Sequence, residues 1–308
     1  MLGMQKAIKV TESDIREMVI ETIKRLMNES YGINDEMENA ATALATYIRD
    51  NILKSPIEYD SRSQMNYHLL SYEHEFEGKK FNWGIIGYIY PNSENLEDNV
   101  DIQFSDGAST SDGDRMFFGR MRFSMTERGW FNYGEVADSV YHEMLHLFKS
   151  KKMGKESGNQ EFNAITSTQY NSTTGLAKDI AVICYMSRED EQDAFINGLY
   201  GKLKEEFLGH FNINASDIFY NSELCKKIGE VKTALNNLSQ TPIEKINEYL
   251  KVYNTNKNSL TYKKLMNLGR NTLSRLSQKT ARMFKHYEKF MYSKGFHANP
   301  PKNIFDYR

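Results

Sequence analysis

The apolar residues of this chain change period twice, and those two changes limit the folds open to it. Up to residue 53 they recur every three or four positions. Ile15, Met18, Val19, Ile23, Leu26 and Met27 lie on one side of a predicted helix over residues 11–29, with Thr11 to Asp14 as its N-terminal cap; Met37, Ala41, Leu44, Tyr47 and Ile48 do the same over 35–53. Between Met65 and Met125 the pattern changes to NYHLLSYEHEF, FNWGIIGYIY, NVDIQF and RMFFGRMRFSM, separated by GKK, PNSEN and SDGASTSDGD. Tyr-, Phe-, Ile- and Val-rich runs broken by Gly, Asn, Asp and Ser read as four strands of a mostly antiparallel sheet. After Trp130 the helical period returns, predicting helices near 133–151, 173–186, 188–207, 224–237, 242–253 and 259–294. Helices, then a sheet, then helices is an α+β order.

With 308 residues, 40% apolar and 12% aromatic, the chain can bury a sizeable core, which argues against global disorder. Two cysteines, Cys184 and Cys225, supply neither a disulfide scaffold nor a four-thiolate metal site. No apolar run approaches the roughly 20 residues of a membrane-spanning helix, and the start lacks the apolar segment of a secretory signal. The expectation is therefore a cytoplasmic protein without a membrane span. The net charge of −2 hides a division: residues 226–308 hold 17 Lys and Arg against 5 Asp and Glu, a balance of +12, leaving −14 in residues 1–225. Eight cations between Lys263 and Lys289, with Glu288 the only acid from Leu260 to Gly295, could offer a face to nucleic acid or an acidic protein. The alternative is a helix docked on the acidic part of the same molecule, its charges solvated or paired.

One short motif carries chemistry. Val140-Tyr141-His142-Glu143-Met144-Leu145-His146 matches H-E-x-x-H. With seven histidines in the chain, about 0.01 matches are expected by chance. On a helix His142 and His146 lie about 40° apart, and Val136, Val140, Met144, Leu147 and Phe148 fall on the opposite side. Two imidazoles one turn apart can reach the same Zn2+, with Zn–N near 2.0–2.1 Å, and Glu143 would take the proton of a metal-bound water and pass it to a leaving amine. The bland alternative is a pair of surface histidines on an amphipathic helix.

These residues resemble the zincin metallopeptidases, and among them the gluzincins, whose third ligand is a Glu on a later helix. The resemblance implies a zincin-like core over residues 1–212, followed by a basic helical region over 213–308, and a zinc metallopeptidase acting on a polypeptide. Its strand-rich segment would supply an edge strand to bind extended substrate, with Arg115 to Met125 as the candidate. The metzincin continuation is absent, since Leu147-Phe148-Lys149-Ser150 follows His146, and His210 is the next histidine. For the third ligand the resemblance points to Ser187-Arg188-Glu189-Asp190-Glu191-Gln192-Asp193-Ala194-Phe195, read as a helix start with Ser187 as N-cap. Glu189 as ligand and Asp193, four residues on, as the carboxylate orienting a zinc-bound His would match the gluzincin arrangement. Glu191 is the rival ligand. The segment is also similar to the E-x-x-A-N-x-F stretch of the phage-repressor-cleaving (ImmA/IrrE-like) peptidases, with Gln192 and Asp193 in place of Ala and Asn.

Tyr185, His210 and His297 are the candidates for stabilising an oxyanion. His74-Glu75 has no second His at the required spacing. The opening VTESDIREMVIETIKRLMNE resembles the starts of proteins encoded by phages of gut bacteria, which would suit a virion or prophage protein. Two other functions therefore stand beside hydrolysis: a zincin-fold structural or interaction protein, for instance virion-associated, and an anion- or nucleic-acid-binding protein using the basic C-terminal helices.

Overall fold

The structure is a computed structural model that describes residues 35–76, 79–90, 100–109, 115–153, 175–209, 214–251 and 260–296. The helix expected over 11–29, together with His210 and His297, lies outside the described residues. The protein is α+β. Helix α1 (Asp35–Asn51) and a 3-10 turn (Ile52–Lys54) precede a five-stranded sheet made of β1 (Ile57–Asp60), β2 (Met65–Phe76), β3 (Lys79–Tyr90), β4 (Asp101–Ser109) and β5 (Arg115–Thr126). Helices α2 (Tyr133–Met153), α3 (Leu176–Met186), α4 (Glu189–Gly209), α5 (Ala215–Tyr220), α6 (Glu223–Gln240), α7 (Ile243–Lys251) and α8 (Tyr262–Ser293) follow.

The strand order is β1-β2-β3-β5-β4. Three pairings are antiparallel, but β5 inserts between β3 and β4 and runs parallel to β3. Arg115 to Met125 is therefore an interior strand and not the expected edge; β4 forms that edge. The short β1, which the apolar pattern did not announce, closes the opposite side. Alternation places Phe81, Trp83 and Ile85 of β3 and Met121, Phe123 and Met125 of β5 on one buried face. Leu70, Ile85 and Met121 form a row across three strands. Helix α1 lies against β2, where the Tyr47 ring packs tilted against that of Tyr72, centroids 4.5 Å apart, and donates its hydroxyl to the Ser71 carbonyl. Helix α2 lies against β4.

The most extensive contact between helices is that of α2 with α4. Asn197 of α4 donates to the Tyr141 carbonyl of α2 at 2.6 Å, and Lys202 of α4 pairs with Glu135. Lys204 and Tyr200 of α4 both reach Glu38 of α1, which binds the three helices together. Helices α3, α6 and α8 pack behind α4, and one continuous set of buried residues runs from Met37 to Met291. The helices after residue 212 thus share their core with those before it. Thr261 caps α8 by accepting from the Lys264 amide, and Leu265, Leu276, Met283 and Tyr287 face inward. Among the described residues no helix is long and apolar enough to cross a membrane.

Candidate metal centre

The motif helix α2 owes its placement to its apolar residues. Val136, Ala137, Val140, Tyr141, Met144 and Leu145 are buried, and Tyr141 shares its hydroxyl with Thr42 of α1 at 2.7 Å. With those side chains fixed in the core, the one helix face that remains toward the cleft carries His142 and His146. Their rings meet edge to face, with centroids 5.0 Å apart, and the two Nε2 atoms are 3.2 Å from each other. Phe195 of α4 packs edge-on against the His142 ring at 4.6 Å and holds its orientation.

The carboxylate that joins them is that of Glu191. Its Oε2 lies 3.6 Å from His146 Nε2 and 3.9 Å from His142 Nε2. Tyr185 donates its hydroxyl to the same oxygen at 2.6 Å, while the Arg188 guanidinium lies 3.5 Å from the other. Glu191 is thus clamped from both sides. Glu189, the expected ligand, points elsewhere: its side chain is 72% exposed against 8% for Glu191, and its nearest cation is Lys279 of α8 at 3.7 Å. Asp193, expected to orient a histidine, receives the same Lys279 ammonium at 2.5 Å. Residues two apart on a helix are turned by about 200°, so Glu189 and Glu191 cannot face α2 together.

Helix α4 meets α2 along the face that contains Glu191, Phe195, Gly198 and Lys202. Two glycines permit that approach. A Cβ on Gly198 would overlap Asp138 Oδ1, and one on Gly201 would overlap the Tyr141 ring. Gly198 is seven residues after Glu191, or nearly two turns, and nine after Glu189, which is half a turn out of phase. That spacing selects Glu191 once the packing of the Gly198 face on α2 is known. The helix also begins one residue later than expected. Ser187 ends α3 by donating its hydroxyl to the Cys184 carbonyl, so it does not cap α4.

The donor atoms fit a small tetrahedral ion. Two ligands each about 2.0–2.1 Å from such an ion sit about 3.4 Å apart, close to the 3.2, 3.6 and 3.9 Å found here. His142, His146 and Glu191 are, among the described residues, a group able to hold a metal ion. Burial, reinforced by the charge His146 carries, lowers the His142 imidazole to about 4, so it is neutral and its lone pair is available. Burial opposes ionisation of Glu191, yet its hydrogen bond and charge pairing with His146, and the Tyr185 hydroxyl, outweigh it and bring the carboxyl down to about 2. Burial likewise opposes a proton on His146, and the Glu191 carboxylate overcomes it.

Glu143 stands beside the triad, its Oε1 4.0 Å from His142 Nε2. Both line a cleft of about 260 Å³, bounded by Val100 and Ile102 at edge strand β4 and by Glu135, Asp138, Ser139, Phe195, Glu223 and Lys226. Tyr185, one of the expected oxyanion groups, holds Glu191 instead. Cys184 is buried and burial pushes its thiol up to about 12, leaving it inert; Cys225 is half-buried and also raised. His74 lies on β2 stacked beside Tyr72. No family model, curated protein or solved structure matches this chain.

Proposed function

We propose that the protein is a zinc-dependent metallopeptidase. The observation that carries this reading is the convergence of His142 Nε2, His146 Nε2 and Glu191 Oε2 on one point, at a cleft wall where Glu143 stands beside them. Two imidazoles and one carboxylate are the donor set of open zinc sites with a coordination position left for water or substrate. Bound there, zinc would polarise a peptide carbonyl and acidify a water. The chain's own contribution is to place Glu143. Its carboxylate takes one proton from the attacking water as the carbon–oxygen bond forms, and returns that proton to the amine nitrogen as the carbon–nitrogen bond breaks. Tyr185 and Arg188 hold Glu191 in place, and Phe195 fixes the His142 ring, so the donors are oriented before any ligand arrives.

Strand β4 is the last in the sheet order, so a substrate strand can add along it while Val100 and Ile102 contact side chains. The same arrangement is what the gluzincin resemblance implies, with Glu191 in the role first given to Glu189.

The test joins metal analysis to turnover. The purified 308-residue chain should carry about one zinc, and Glu143→Ala should retain that metal while losing cleavage of a polypeptide substrate by at least about a hundredfold. A chain without zinc, or a Glu143→Ala variant as active as the parent, would rule the reading out. On the basic C-terminal helix, Lys263, Arg270, Arg275, Arg282 and Lys285 face solvent, while Lys279 is internal and paired with Asp193.

A further inference from the structure

The cleft continues past the metal centre along α2. Asp138 precedes His142 by one helical turn, about 6 Å along the axis, and belongs to the same cleft wall. Its residue is 6% exposed. One carboxylate oxygen, Oδ1, is pressed against α4 at the place that only a glycine, Gly198, leaves open. The other, Oδ2, is buried and has no hydrogen-bond partner among the described residues. Around it stand the carboxylates of Glu135 and Glu223, countered by the ammonium groups of Lys202 and Lys226, the latter 3.5 Å from Glu223, while Glu143 lies on the same cleft wall. Lys202 pairs with Glu135. A buried carboxylate oxygen without a donor is costly by about 1–3 kcal/mol or more, so such groups in a binding cleft await a partner.

We propose that this end of the cleft is a subsite for a cationic side chain of the substrate, arginine or lysine, whose charged head is received by Asp138 Oδ2. The inference rests on the metallopeptidase reading and names its substrate class. Val100, Ile102 and Phe195 form apolar walls against which a long aliphatic stem can lie, while the head meets the carboxylates. A residue next to a scissile bond held at His142 and His146 projects its side chain over about the distance that separates His142 from Asp138. Burial, then the charge of Glu135, lift the Asp138 carboxyl to about 7, so ionising it without an added cation is unfavourable; a guanidinium or ammonium removes that penalty and donates the missing hydrogen bond. A second metal ion is the less suitable occupant, because a metal takes several donor groups and the carboxylates of Glu135 and Glu223 are already paired with Lys202 and Lys226.

The test measures binding and needs no turnover. The 308-residue protein loaded with zinc is titrated with Nα-acetyl-arginine amide and with Nα-acetyl-norleucine amide, which keeps the stem and lacks the charge. The arginine amide should bind at least about tenfold more tightly, as one charge-assisted hydrogen bond implies. Asp138→Asn should remove most of that preference and leave norleucine amide binding unchanged, and Glu223→Gln, a half-exposed rim position, should weaken it a few-fold. Glu143→Gln should keep the preference even where it stops cleavage, so loss of peptidase activity and loss of the subsite are read separately. Equal binding of the two amides, a preference that survives Asp138→Asn, or a second equivalent of bound zinc that disappears in Asp138→Asn would each overturn the proposal.

Discussion

At the scale of single residues, two carboxylates on α4 have opposite fates because of the side they occupy. Glu191 is buried between two imidazoles, a phenol and a guanidinium; Glu189 lies in solvent beside Lys279. Glu191→Gln should therefore lower zinc affinity by about tenfold to a hundredfold or more, and Glu189→Gln should leave it unchanged, as read by competition with a chromogenic chelator. Equal losses would show that the donor set is not the one described. Asp138 makes a separate prediction in stability. Its ordinary value is 3.8 and burial raises it in the fold to about 7. Below about pH 4 the group is protonated in both states and costs nothing. Between those values the unfolded chain releases the proton while the folded one retains it, so stability falls as pH rises through that window and levels off above it. Asp138→Asn cannot titrate. In urea melts its stability relative to the parent should rise from pH 4 to pH 7, by an amount on the order of 4 kcal/mol; a difference independent of pH would refute this account.

At the scale of elements, the crossing of α2 and α4 makes the site, and glycine makes the crossing. A methyl at position 198 would meet the Asp138 side chain and its backbone carbonyl oxygen, the latter at 2.9 Å. The added helix propensity of alanine is worth up to about 1 kcal/mol, and overpacking against backbone costs about 1–3 kcal/mol, so the second effect wins. Gly198→Ala should destabilise the protein and weaken zinc binding together, because separating the helices carries Glu191 away from the histidines. Gly229, in the middle of α6 with nothing within 4 Å of an added methyl, is the control: Gly229→Ala should stabilise by up to about 1 kcal/mol and leave zinc binding unchanged. Thermal melts of both variants with and without zinc decide the point.

At the scale of the whole molecule, the basic C-terminal helix is part of the body that holds the site. Gly269 of α8 sits against Leu235 of α6 and Ile183 of α3, and Lys279 places its ammonium between Asp193 and Glu189 of the ligand-bearing helix. Removing one partner of a buried ion pair costs about 3–5 kcal/mol. Lys279→Ala should destabilise by an amount of that order, whereas Arg275→Ala, on the solvent side, should change stability by less than about 0.5 kcal/mol. Chemical denaturation of the two variants separates a docked helix from an independent arm, since an arm would make the two substitutions equivalent.

The parts legible without tertiary structure were those that depend on neighbours a few positions apart. A period of 3.6 placed α1, α2, α4, α6 and α8, aromatic and β-branched runs bounded by turn residues placed β2 to β5, and the four-residue spacing of His142 and His146 put both rings on one side of a helix, because each of these is fixed by local backbone geometry. The choice of Glu191 over Glu189, the insertion of β5 inside β4, and the use of Asp193 as a partner for Lys279 belong to another kind of fact. Each depends on which face of one element meets which face of another, at separations of tens to nearly a hundred residues along the chain. Only burial could decide them: α4 turns its glycine face toward α2, and that rotation brings Glu191 to the histidines and sends Glu189 to the far side.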